Sequence, residues 1–286
     1  MIVRRALIAC SLVGLASLFA AGRAGDQGYS AWVALTVVVE LLALGVAARV
    51  RQRFEPGEPS RITWDLIVGF LAVRTLAQLR LLSFYFDFVP GFVESSPSLT
   101  HIYTVWLRYL YTIADLLMIG GLSSTIRSYR ALGLHFELRG RDWALIAVVA
   151  AMPLSVIASR DQLWSDPHLA APEISLTIYR MVAAVVSAAI AALSLAVLRF
   201  VQQMGGGQLA LVWGAIGAAG LARALSFVAL ALLSGISPAA GDLAEQSMLW
   251  LFASAWFAGV MWQWQIGRGR AGGGAIAPAT KRLDMR

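Results

Sequence analysis

Eight apolar stretches, each at least 18 residues long, follow one another along this chain of 286 residues. They cover 4–22, 31–50, 64–84, 102–125, 142–159, 174–199, 208–234 and 244–266. A helix needs about 20 residues to cross a hydrocarbon core ~30 Å thick at 1.5 Å per residue. In lipid, only helices and closed barrels satisfy every backbone amide, and a barrel strand needs only about 10 residues. The length of these stretches therefore points to an all-α integral membrane protein with eight transmembrane helices. Composition agrees, with 59% hydrophobic and 14% charged residues against ~25% charged in soluble domains. Pro153 interrupts the fifth stretch, which a membrane helix tolerates when its neighbours re-satisfy the backbone. The first stretch, with Arg4 and Arg5 ahead of Ala6–Gly22, also has the outline of a signal peptide. Its length and the seven stretches behind it favour a retained first span.

Basic residues fix an orientation. One set of loops and ends carries Arg4, Arg5, Arg49, Arg51, Arg53, Arg61, Arg127, Arg130, Arg139, Arg141, Arg199, Arg268, Arg270, Lys281, Arg282 and Arg286. The alternate set carries Arg23 and Arg160. Sixteen against two, in alternation across eight spans, places both termini in the cytoplasm. Lys281 is the single lysine; such usage fits a GC-rich genome, and the expected location is the inner membrane of a bacterium. The net charge of +7 is accounted for by these loops, and no basic polar domain is present to engage nucleic acid.

Short segments recur in order. Trp213–Leu225 repeats Trp64–Leu76 with Trp, Ile three later, Arg ten later and Leu twelve later. Ala-Leu-Ile-Ala occurs at 6–9 and 144–147, and Arg-Phe closes the second and sixth stretches at Arg53–Phe54 and Arg199–Phe200. The expected organisation is a four-helix half over 1–128, a basic linker over 129–141, a second half over 142–268 and a tail over 269–286. An even number of spans per half makes the repeats parallel, related by an axis along the membrane normal.

Ionisable groups at membrane depth cost ~2.5–3.5 kcal/mol each on insertion scales and normally face the bundle interior. The spans hold Arg74, Arg80, Arg108, Arg180 and Arg223, with Glu40 and Asp115 near mid-depth. In an antiparallel hairpin of the second and third stretches, Glu40 and Arg74 lie at nearly equal depth, so they are expected to pair. No acid stands at the corresponding place in the sixth stretch, which leaves Asp115 as the expected partner of Arg223. In the fourth stretch His101, Thr104, Arg108, Tyr111, Thr112 and Asp115 recur at three- and four-residue steps, one face of a helix. Arg80, Arg108 and Arg180, with Thr112 and His101, therefore either line an outward-open cavity that binds an anion or snorkel to the nearby interface.

Several chemistries are argued against. His101, His135 and His168 lie at outer ends or in loops, so no buried pair is available for haem. No lysine lies in a span for a Schiff base. Cys10 is the single cysteine, which rules out a disulfide framework, and no metal-ligand or phosphate-loop spacing occurs. No catalytic residue, metal or cofactor is expected. The leading functional expectation is binding or transport of a small anionic solute or lipid headgroup. The alternatives are a membrane subunit or sensory module working through other membrane proteins or a second copy of itself, and a lipid-phosphate enzyme.

Overall fold

A computed structural model describes residues 14, 26–85, 97–131, 139–158, 173–203, 208–233 and 238–272. Of the first predicted span, only Gly14 falls among them. The described residues form seven helices: α1 (Asp26–Arg51), α2 (Pro59–Tyr85), α3 (Pro97–Ala131), α4 (Gly140–Ala158), α5 (Glu173–Gln203), α6 (Gln208–Leu233) and α7 (Pro238–Gly272). They correspond to the second through eighth apolar stretches. Proline opens α2, α3 and α7, where its missing N–H is one that a helix leaves unpaired anyway. At the start of α4, the Asp142 carboxylate accepts a hydrogen bond from the Arg139 backbone N–H at 3.1 Å, one half of a capping box. Between α1 and α2 the chain reverses through Gly57, whose φ of 93° is a backbone region that glycine enters without steric cost.

Five helices contain segments long and apolar enough to cross a membrane: Ala31–Arg51, Pro59–Leu79, Leu107–Ser128, Met181–Gln203 and Gln208–Ser226. Leu35, Leu41, Leu42, Leu76, Ile113, Leu116, Val185 and Leu211 lie exposed on them, while Glu40, Arg74 and Asp115 are buried. Apolar outside and charged inside is the arrangement of a helical membrane protein, whose outer surface meets lipid and whose polar groups must find partners within.

Helix α7, at 35 residues, is long enough to span but not among the apolar five. Glu245, Gln246, four tryptophans and the Gln263 and Gln265 pair dilute it. Its surroundings explain why that composition is tolerated. From Leu243 to Trp264 every residue of α7 is buried or half-buried, whereas the five apolar helices each carry exposed residues.

The order of packing is a ring. Helix α1 lies against α2 and α7, α2 against α3, α3 against α5, α5 against α6, and α6 against α7. Helix α4 stands outside the ring against α5 and α6. Side chains fill the centre: Trp64, Ile67, Phe70, Leu71, Met118, Ile190, Ile216, Phe252 and Trp256 belong to one buried cluster. Phe70 packs on Trp256 at 5.0 Å and edge-on to Phe252 at 5.9 Å between ring centroids. Trp64 reaches Trp213 on the other side of the ring at 6.4 Å. Small residues allow the tightest approach. A Cβ on Gly220 would overlap the Ser194 hydroxyl of α5 and stand 3.1 Å from Met118 Cε of α3, so glycine brings three helices together there.

One end of the bundle gathers the basic helix ends. Arg53 donates to the Trp264 carbonyl at 2.8 Å, joining α1 to α7. Arg61 donates to the Phe54 carbonyl at 2.7 Å and lies 3.5 Å from Asp65, which also pairs with Arg51. Arg199 of α5 pairs with Asp142 of α4 at 3.2 Å. These arginines therefore do more than carry loop charge. They tie neighbouring helix ends and turns together.

Candidate functional site

The interior polar cluster is built from two arginine–carboxylate pairs and a tyrosine. Arg74 projects from the middle of α2 and Glu40 from the middle of α1. Arg74 Nε donates to Glu40 Oε1 at 2.8 Å, and each side chain is 1% exposed. The guanidinium also lies over the Phe252 ring of α7 at 4.2 Å and near the Tyr111 ring of α3 at 5.8 Å. In a water-free interior such cation–π contacts are worth about 2 kcal/mol. They matter here because an arginine cannot shed its proton to escape burial.

The second pair joins α6 to α3. Arg223 Nη2 donates to Asp115 Oδ2 at 2.7 Å and Nε to Oδ1 at 3.2 Å, so the contact is bidentate. Arg223 Nη1 also donates to Ser226 Oγ at 3.2 Å, and that hydroxyl donates to the Arg223 carbonyl at 2.7 Å. The side chains are 16% and 7% exposed, a less secluded place than the first pair.

Tyr111 stands between the two. It lies one turn from Asp115 on the same face of α3, with the Arg74 guanidinium 5.8 Å from its ring. The cluster therefore draws on α1, α2, α3, α6 and α7.

The structure thus brings together Arg74 with Glu40 and Arg223 with Asp115. Arg108 sits half-buried in α3, two turns from Asp115. Thr112 donates its hydroxyl to the Arg108 carbonyl at 2.9 Å, a bond within its own helix that leaves only its lone pairs for a ligand. Arg80, Arg180 and His101 belong to α2, α5 and α3, and their side chains lie outside the described residues. Sequence reasoning set Tyr111 on the polar face of α3 but gave it no role, and it missed Phe252 and Ser226. Tyr111 is detectable from its four-residue spacing to Asp115. Phe252 carries no such signal in an aromatic-rich helix.

Comparison with protein-family models, with characterised proteins and with solved structures finds no match to this chain. Function therefore rests on the geometry above.

Proposed function

We propose that this chain is an eight-span inner-membrane protein, N-in and C-in, that binds or carries a small anionic solute or a lipid headgroup. The ligand enters an outward-opening cavity bearing Arg108, Arg180 and Arg80, with Thr112 and His101 at its sides. The carrying observation is the double ion pair in the bundle interior. Two charged pairs at mid-depth are an expensive way to hold helices together, and such groups are typical of solute and ion paths. Helices α3 and α5, which bear Arg108 and Arg180, are direct neighbours.

A two-half design supports the carrier reading. Exchanging α1 with α5, α2 with α6 and α3 with α7 turns each contact of the ring into another contact of the ring. The contact of α1 with α2 becomes α5 with α6, α2 with α3 becomes α6 with α7, and α1 with α7 becomes α5 with α3. Trp64 and Trp213, counterparts in the sequence echo, touch each other, as residues on a pseudo-two-fold axis do. Arg74 and Arg223 occupy equivalent steps of that echo, although Arg74 pairs with the adjacent α1 whereas Arg223 reaches across the ring to α3. Rocking of one half against the other is the movement such parallel repeats permit.

The test uses the full chain purified and reconstituted in vesicles, with chloride, inorganic phosphate and a short dicarboxylate as probes of anion-evoked uptake or current. A second arm reads anionic lipid retained by the protein in native mass spectrometry. Arg108→Gln or Arg180→Gln is expected to weaken whichever response is present by at least about tenfold, ~1.4 kcal/mol. Absence of both responses in the intact protein refutes the reading and leaves the membrane-subunit alternative.

A further inference from the structure

The two interior pairs differ in how completely they are made. Arg223 and Asp115 use both nitrogens and both oxygens of a side-on contact. Arg74 and Glu40 share one hydrogen bond, Nε to Oε1. Arg74 Nη2 and Glu40 Oε2 are both buried and find no hydrogen-bond partner among the described residues. The incomplete contact is thus the more deeply buried of the two.

A carboxylate oxygen without a partner in a dry interior is the costly form of this group. A proton added at Oε2 neutralises it and breaks no hydrogen bond, since Oε1 goes on accepting from Arg74 Nε. Arg74 would then lack a counter-charge, but it keeps the Phe252 face at 4.2 Å and Tyr111 at 5.8 Å. The charged and titratable groups around the site are Arg74 on α2 and Tyr111 on α3, with Arg223 on α6 and Glu245 on α7 near enough to bear on Tyr111. Tyr111 both donates and accepts, and Asp115 lies one turn along the same face.

We propose that Glu40 is a proton-binding site, the proton residing on the unpartnered Oε2, and that the bound proton accompanies the anionic solute. The second clause rests on the carrier reading above; the first does not. The step is a transfer of one proton from solvent to Glu40 Oε2 and back, with no change of oxidation state. Its value to a carrier is electrical. A lone anion moving inward opposes an inside-negative potential by ~2.3 kcal/mol per charge per 100 mV, and a co-bound proton cancels that opposition.

The experiment reads the proton without any solute. Infrared difference spectra of the full chain in lipid, stepped from alkaline to acidic buffer, should show a protonated-carboxyl band in the wild type. Glu40→Gln should lose this band, Glu40→Asp should shift it, and Asp65→Asn, outside the cluster, should leave it in place. No titrating band in the wild type, or an unshifted band in both Glu40 variants, overturns the proposal. Because no anion is present, a positive result stands even if every transport assay fails, and transport without the band removes the proton alone.

Discussion

Breaking the Asp115–Arg223 pair should cost the protein more from the acid side than from the arginine side. In Asp115→Asn, Arg223 loses its counter-charge at 2.7 Å and cannot neutralise itself. In Arg223→Gln, Asp115 is left alone but can take up a proton. At an effective dielectric constant of about 20, charges ~4 Å apart attract by about 4 kcal/mol, before the cost of removing them from water is subtracted. Truncating one member of a buried pair typically costs ~3–5 kcal/mol. With 16% of the Arg223 side chain still exposed, the lower end applies, about 3 kcal/mol for Asp115→Asn and about 2 for Arg223→Gln. The double variant leaves no stranded charge, so it should recover about 2 kcal/mol relative to the sum of the singles. Reversible unfolding of the full chain in mixed micelles supplies the three differences. If the two losses simply add, to within ~0.5 kcal/mol, the pair carries no coupling and the reasoning fails.

Three further outcomes follow from the packing. Gly220→Ala should destabilise the bundle by about 1–3 kcal/mol in the same unfolding assay, because its Cβ would overlap Ser194; adding Ser194→Gly should return most of the loss. Phe252→Leu keeps most of the volume but removes the ring over Arg74, and should lower stability by about 1–2 kcal/mol, while Phe252→Ala costs about 3–5 kcal/mol through its cavity. In a Cys10→Ser background, Gln52→Cys in the turn between α1 and α2 should react with an impermeant thiol reagent in inside-out vesicles and not in intact cells. Labelling of intact cells would reverse the proposed orientation.

The interior pairs could be located by counting because membrane thickness acts as a ruler. When neighbouring helices form an antiparallel hairpin, distance along the sequence converts directly to depth, and Glu40 and Arg74 fall at one level. Asp115 and Arg223 required a second argument, that a buried arginine must have an acid and that one acid remained. Helical character was equally legible, since apolar length leaves few alternatives in lipid. The position of α7 was not. Whether a helix faces lipid or protein depends on what surrounds it, and α7 reads as an ordinary, somewhat polar span until its neighbours are known. The half-made contact between Arg74 and Glu40 was also invisible, because hydrogen-bond completeness depends on side-chain rotamers and not on register. Thr112 shows a related point. Its place on the polar face is correct, yet its hydroxyl proton serves its own backbone.

The low exposure of α7 between α1 and α6 bears on how the molecule is made. It is the last of the described helices to leave the ribosome. Its tryptophans, glutamines and Glu245 give it less preference for lipid than α1, α5 and α6 have when it reaches the insertion machinery. Its stability in the membrane must then come from docking into the gap between α1 and α6, with Phe252 closing over Arg74. Until α7 arrives, that guanidinium lacks its ring. A chain so built would complete its interior last, with α7 entering as a keystone. A cell that degrades chains stalled before α7 would be sensing an exposed buried charge rather than a missing sequence.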